Sequence, residues 1–237
     1  MRLIALPPSS DGTVKGALQI EPKPGWMTYW REPGDAGIPP QLTVDDEKGI
    51  ALTRFAYPIP KRIDNGELKD IGYDHPVTFP FELSAADLAA SAEIGISAFV
   101  GLCQNICIPF QAEFSLELDK GNGISTEEAM ALARAETKLP EQPSEEFAVT
   151  HYALVGNNLL RLTLRLPDMS ESEPQVIVTG PEGHVFLDSR NGRHDDNRYS
   201  LEIPIEKLPK DYEISGKRWG ILVLADDRAM ETSLAFD

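Results

Sequence analysis

The amino-acid sequence predicts an all-β protein: two immunoglobulin-like β-sandwich domains with one short helix near their junction. Three observations lead to this prediction. Apolar and polar residues alternate with period two through most of the chain. The 19 prolines and 18 glycines interrupt these runs at short intervals. A proline-containing acidic segment also divides the chain near its middle. Many short alternating strands separated by turn signals are typical of β-sandwiches.

Two alternating runs in the first half predict long strands. In EIGISAFVGL (93–102) and AEFSLELD (112–119), the large apolar residues occupy the even positions and mostly small or acidic residues occupy the odd ones. One face of each strand is therefore expected to lie against a core. In the second half, NLLRLTLRLPD (158–168) places leucines opposite Arg161 and Arg165 and predicts a strand of a second core.

One segment has the pattern of a helix. STEEAMALARAETK (125–138) begins with Ser125 or Thr126 as the N-cap, carries acidic residues in its first turn, and has Lys138 near its end. It precedes LPEQPSEE (139–146), whose two prolines among acidic and polar residues are typical of a linker.

These boundaries predict three parts. A first domain over 1–122 carries both cysteines, a helix and linker occupy 123–146, and a second domain over 147–237 has no cysteine.

Charge and hydropathy exclude several functions. The formal net charge of −16 gives a surface that repels nucleic acid and anionic lipid, so we expect neither as a partner. The longest apolar stretch, 85–102, is interrupted by Asp87 and Glu93 and does not predict a membrane span. The opening MRLIALPP is too short for a signal peptide. Two interpretations stay open at this point: a cytoplasmic protein, or a trimmed part of a longer one.

The segment GLCQNICIPF (101–110) holds both cysteines, Cys103 and Cys107. A disulfide needs Cα atoms roughly 4.4–6.8 Å apart. Four residues of straight strand span about 13 Å, so an unbroken strand forbids the bond. Apolar residues hold even positions on both sides of the motif. We therefore predict a hairpin that places Cys103 opposite Cys107, on the face away from the core.

Three chemical interpretations of the pair are open from the residues alone. As a structural staple, the bond would close a loop of about five residues and stabilise the fold by only about 2 kcal/mol. As a metal site, it would need a further ligand such as His194. Copper-delivery proteins of the Sco type carry CxxxCP before a helix, whereas here the motif runs into a strand. As a redox pair, it would present neighbouring thiols at a hairpin tip, accessible to a partner's sulfur.

Three stretches, 24–42, 57–83 and 101–118, together resemble the N-terminal periplasmic domain of DsbD-type protein-disulfide reductases, especially the ScsB proteins. The stretches occur in the family's order and cover roughly the first half of the chain. The CxxxC spacing is shorter than in the classical DsbD domain and is similar to the ScsB branch. ScsB-type proteins are also expected to have a second immunoglobulin-like domain.

The resemblance implies a thiol–disulfide oxidoreductase with Cys103 and Cys107 as its catalytic pair and no metal or other cofactor. A membrane-embedded domain of the same full-length protein would supply electrons, and periplasmic thioredoxin-like proteins would be the clients. The chain would then be a periplasmic fragment without its signal peptide and membrane part. The family further implies a cap loop that shields the cysteines, expected within residues 60–74.

Four further residues are predicted to bind a partner or to shield the cysteines: Tyr29, Tyr73, Gln104 and Asn105. The neighbouring Trp26 and Trp30 are predicted to be core residues. We expect Cys107 to be the attacking sulfur, and both thiols to be weakly activated because the motif lies on strands between neutral residues. The alternatives are a non-catalytic protein-binding module with a structural disulfide, and a copper-binding chaperone.

Overall fold

The protein is represented by a computed structural model, which divides into two compact units, Met1–Leu139 and Pro140–Asp237. It describes residues 1–34, 37–45, 49–65, 68–84, 91–119, 125–156, 158–167, 172–180, 183–205, 208 and 212–236. No helix in these ranges is long and apolar enough to cross a membrane.

Within the described residues, the first unit has ten strands and one helix. They are β1 (Arg2–Ala5), β2 (Thr13–Ile20), β3 (Thr28–Gly34), β4 (Gln41–Val44), β5 (Ala51–Phe55), β6 (Lys61–Asn65), β7 (Leu68–Tyr73), β8 (Val77–Ser84), β9 (Ser91–Cys103), β10 (Cys107–Asp119) and α1 (Thr126–Glu136). Three antiparallel sheets result, with strand orders β1-β2-β8-β5, β10-β9-β4 and β3-β7-β6. The third sheet is the one that meets the cysteines.

The inward face of β9 is as the alternation predicts, since Ile94, Ile96, Ala98 and Val100 are buried. The same prediction is wrong at the start of β10, where Ile108 is 41% and Phe110 is 46% exposed. The reason is position: β10 is the edge strand of its sheet, so the core covers β9 more fully than β10. Periodicity reveals which residues share a face but not whether that face is covered.

Helix α1 belongs to the first unit. Ser125 is its N-cap, and its hydroxyl accepts a hydrogen bond from the Glu128 amide at 3.4 Å. Leu132 is buried against Ile4 and Ala17. At the end of the helix, the Glu136 carboxylate accepts two hydrogen bonds from Arg54, at 2.9 and 3.1 Å.

This arrangement differs from the predicted division, which placed 123–146 between the domains. The apolar side of the helix is buried on the first unit, and the compact units divide at Leu139 and Pro140. Of that segment, residues 123 and 124 lie outside the described residues.

The second unit is a two-sheet sandwich of eight described strands. They are β11 (Ala148–Val155), β12 (Leu159–Arg165), β13 (Gln175–Thr179), β14 (Val185–Phe186), β15 (Arg190–Asp195), β16 (Arg198–Pro204), β17 (Lys217–Ala225) and β18 (Arg228–Phe236). The sheets have orders β11-β12-β16-β15 and β14-β13-β17-β18. The predicted leucines Leu160, Leu162 and Leu164 are buried with Trp219 in one core. The predicted all-β, immunoglobulin-like fold with two domains is confirmed.

Replacing Leu132 by alanine is expected to destabilise the first unit by about 2–4 kcal/mol, because the change leaves a cavity where the helix packs on the sheet. Hydrogen exchange read by mass spectrometry measures the unfolding free energy of each unit separately. Met130→Ala is the matched control, since Met130 is 49% exposed on the same helix. Equal effects of the two substitutions would contradict the described helix packing.

Candidate functional site

The two cysteines lie at the tip of the β9–β10 hairpin and form a disulfide. The strands pair with Cys103 directly opposite Cys107, and Gln104, Asn105 and Ile106 form the three-residue loop. The Cα atoms of the pair are 4.1 Å apart. The hairpin inferred from the parity of the flanking residues is therefore the one that forms.

Cys103 is held by two backbone hydrogen bonds to Met27, on the edge of its strand that faces away from β10. Its amide donates to the Met27 carbonyl at 3.0 Å, and the Met27 amide donates to the Cys103 carbonyl at 2.8 Å. Cys103 is 4% exposed, in a small cluster with Met27 and Tyr29 against which Ile63 packs. The cysteines do point away from the main core, as predicted, but Cys103 is covered on that side by a second layer.

The Tyr29 hydroxyl contacts both sulfur atoms of the disulfide. Its oxygen lies 2.9 Å from Sγ of Cys103 and 3.0 Å from Sγ of Cys107. Because a disulfide sulfur has no proton, the hydroxyl is the donor, and its single proton is shared between two acceptors. Burial, with the nearby charge of Asp70 as the smaller cause, raises the pKa of Tyr29 to about 12. Tyr29 therefore keeps its proton at neutral pH.

Two glycines allow Tyr29 to occupy this position. A Cβ atom at Gly37 would lie 2.5 Å from Cβ of Pro33, on the same strand as Tyr29, and 2.6 Å from Cδ1 and Cε1 of the Tyr29 ring. A Cβ atom at Gly72 would collide with the Thr28 carbonyl and come within 3.0 Å of the Tyr29 Cα. Either side chain would require the tyrosine or its strand to move. Sequence reasoning missed both glycines, because nothing local marks a close approach by a distant residue.

The segment predicted to contain a cap loop, 60–74, forms the hairpin of β6 and β7. β7 pairs with β3, and Ile63 from β6 packs on the cysteine cluster. Lys61 and Asp74 form an ion pair of 2.5 Å near the base of the hairpin. Residues 66 and 67 lie outside the described residues. The described part thus covers the Cys103 side of the disulfide.

Cys107 is exposed, and so is every residue from Gln104 to Phe110. The disulfide is consequently asymmetric, with one sulfur-bearing residue buried and the other open to solvent. Gln104 and Asn105 lie beside Cys107 on the surface, where a partner can reach them.

Tyr73 does not fit the role of a partner-binding residue. It is fully buried, its hydroxyl donates to the Pro58 carbonyl at 2.7 Å, and its ring packs edge-on against Phe79. The alternation around Tyr73 gives no sign that the neighbouring sheet covers it completely.

The aromatic and cationic residues near the motif have structural contacts. Trp30 is buried, as predicted, with the Arg31 guanidinium 4.4 Å from the centre of its ring, whereas Trp26 is only half-buried. Sequence reasoning also missed Met27 and Ile63, because neither belongs to a recognisable chemical motif. The weak activation expected of the thiols stays a prediction.

The described residues contain no group of three or more His, Cys, Asp or Glu side chains placed to hold a metal ion.

Residues 4–119 match the family described as the N-terminal part of the thiol:disulfide interchange protein DsbD. Among solved structures, the N-terminal periplasmic domain of ScsB from Proteus mirabilis aligns with a TM-score of 0.78 and 23% identity, over 99% of this chain and 92% of that one. The CupB2 chaperone of Pseudomonas aeruginosa aligns at 11% identity over 99% of this chain and all of that one, but its TM-score of 0.27 is too low to indicate a shared fold. No curated protein matches the chain.

In the reduced protein, iodoacetamide is expected to alkylate Cys107 faster than Cys103, by on the order of 10-fold, because only Cys107 is accessible. Peptide mapping after timed quenching measures the two rates separately. The same protein in urea serves as the control, where burial is lost and the rates should converge. Faster alkylation of Cys103 in the folded protein would contradict the asymmetry.

Proposed function

Because residues 4–119 belong to the family of DsbD/ScsB-type N-terminal domains, we propose that this chain is a thiol–disulfide exchange module acting through Cys103 and Cys107. The observation that carries the proposal is the asymmetry of the disulfide. Cys107 is open to a partner's sulfur, while Cys103 is buried beside the Tyr29 hydroxyl. A structural staple needs neither an open sulfur nor a proton donor placed on it.

The first half-reaction loads the module with electrons. A thiolate of the donor, which we propose to be a membrane-embedded domain of the same full-length protein, attacks Sγ of Cys107. The bond between the two cysteines breaks, Cys103 leaves as a thiolate, and a mixed disulfide joins the donor to Cys107. A second donor thiolate then attacks the donor sulfur of that bond and releases Cys107. Two electrons pass to the module, the donor ends as a disulfide, and protons from solvent complete the dithiol.

The second half-reaction passes these electrons to a client. The Cys107 thiolate attacks a client disulfide and forms a mixed disulfide, and one client sulfur leaves as a thiolate. Cys103 then attacks Sγ of Cys107, which releases the second client sulfur and restores the original disulfide. We propose that the clients are thioredoxin-like proteins of the periplasm, since the similar ScsB domain is a periplasmic one.

Tyr29 assists the buried sulfur in this scheme. When Cys107 is attacked, negative charge develops on Cys103, in a site with little access to water. In the disulfide, the Tyr29 hydroxyl shares its hydrogen bond between two sulfurs. Once Cys103 becomes a thiolate, the hydroxyl can direct that hydrogen bond to Cys103 alone. Hydrogen bonds to charged groups are worth about 1.5–3 kcal/mol, and this one is stronger after the charge appears than before it.

Cys103→Ser is expected to accumulate a mixed disulfide between Cys107 and an oxidised thioredoxin-fold client, because the resolving sulfur is missing. Cys107→Ser should not accumulate one under the same conditions, since Cys103 is buried. Non-reducing electrophoresis followed by peptide mapping identifies the joined residues. A complex formed only through Cys103 would reverse the assignment of the attacking sulfur.

Tyr29→Phe is expected to slow reduction of the disulfide by dithiothreitol about 10-fold, the kinetic equivalent of one lost charged hydrogen bond of about 1.4 kcal/mol. Gly37→Ala should slow it in the same direction, because the added methyl group collides with the Tyr29 ring and with Pro33 on the same strand, and so displaces the hydroxyl from the sulfurs.

The control is Gly95→Ala, since a Cβ atom there meets Asp45 only at an ordinary 3.5 Å. The double variant of Tyr29 and Gly37 should be no slower than Tyr29→Phe alone, because both changes remove the same interaction. Additive effects would show that Gly37 acts by another route.

A further inference from the structure

Three large apolar side chains are exposed at positions next to Cys107 in the sequence. Ile106 is 69%, Ile108 is 41% and Phe110 is 46% exposed. The other large apolar residues exposed in the described part of the chain lie far from Cys107 in the sequence: Met1, Met130 and Val155. Ile108 and Phe110 lie on the face of β10 opposite the Cys107 side chain, because successive side chains of a strand alternate. Together with Ile106 they form an exposed apolar stretch on the segment that carries the reactive sulfur, which indicates a contact surface rather than scattered surface variation.

The backbone at Cys107 is also turned outward. Among the described strands, β10 lies at the edge of its sheet and pairs with β9 alone. The N–H and C=O of Cys103 bind Met27, so they point away from Cys107. The two cysteines are therefore a non-hydrogen-bonded pair of the ladder, in agreement with their Cα separation of 4.1 Å. In such a pair the N–H and C=O of Cys107 point to the outer edge.

Proline limits what can pair along this edge. The backbone nitrogen of Pro109 faces the same edge as that of Cys107, but a proline has no N–H to donate. A long strand therefore cannot add there with a full set of hydrogen bonds. A short bridge at Cys107 can form, of the same type that Met27 makes with Cys103 on the far side of the hairpin.

We propose that a short extended segment of a thioredoxin-fold partner, next to its reactive cysteine, docks on the outer edge of β10 at Cys107. The docking surface includes Ile106, Ile108 and Phe110. This inference rests on the proposed function. A partner sulfur that bonds to Sγ of Cys107 brings its neighbouring backbone over this edge. There the segment forms two backbone hydrogen bonds with Cys107 and apolar contacts with Ile106, Ile108 and Phe110.

The test compares a protein partner with a small one. The reduced protein is mixed with oxidised thioredoxin or with oxidised glutathione, and the second-order rate constant is measured for wild type, Ile106→Ser and Phe110→Ser. We expect each substitution to lower the rate with thioredoxin about 10-fold, the kinetic equivalent of a lost apolar contact of about 1.4 kcal/mol, and to leave the glutathione rate unchanged. Met130→Ser, which removes an exposed apolar side chain from α1, is the control and should change neither rate.

Unchanged rates with thioredoxin would overturn the docking surface, as would equal losses with both substrates. If the wild type reduced neither substrate, the proposed function itself would fail, so the two failures are distinguishable. A wild-type dimer in analytical ultracentrifugation that the serine variants disperse would assign the edge to a second copy of this chain and overturn the proposal.

The backbone part has a separate readout. In Cys103→Ser joined to thioredoxin through Cys107, the amide of Cys107 should be protected from hydrogen exchange relative to the mixed disulfide with glutathione. Equal exchange in the two species would overturn the proposed bridge.

Discussion

The pair of hydrogen bonds between Met27 and Cys103 is the constraint on which the site depends. These two bonds join β9 to the segment that leads into β3, and they bring Tyr29 to the cysteines two residues later. Because the N–H and C=O of Cys103 bind Met27, they cannot bind Cys107 on the other side of the strand. The N–H and C=O of Cys107 therefore face the outer edge of β10. Burial of one cysteine, access to the other and the position of the tyrosine therefore share one structural cause.

The rest of the first unit supports this contact. The hairpin of β6 and β7 lies beside β3 and supplies Ile63 to the cysteine cluster. Gly37 and Gly72 leave room where any side chain would push the tyrosine or its strand away. The side chains of Ile94, Ile96, Ala98 and Val100 are buried, so the core anchors the strand that carries the hairpin tip.

The fold was largely predictable, because period-two alternation and turn residues are local signals. The hairpin at the cysteines was predictable for the same reason. Apolar residues occupy even positions in both of its strands, so facing residues must be separated by an odd number of loop residues. Tyr29 could be selected because it alternates to the face opposite Trp30. Its contact with both sulfurs could not be deduced, since it joins residues 74 and 78 positions apart. Likewise, the burial of Tyr73 and the exposure of Phe110 depend on which sheet covers which strand, and periodicity carries no information about that.

The central claim, that Cys103 and Cys107 form a redox pair rather than a staple, is tested most directly by an equilibrium titration of the folded protein in thiol buffers of known potential. Acid trapping and mass spectrometry then give the fraction reduced. A redox pair is expected to show a reversible two-electron transition above about −300 mV, in the range of known exchange proteins, whereas structural disulfides stay oxidised at these potentials. A bond that stays fully oxidised in the folded protein below about −300 mV, and is reduced only on unfolding, would show that the cysteines form a structural staple.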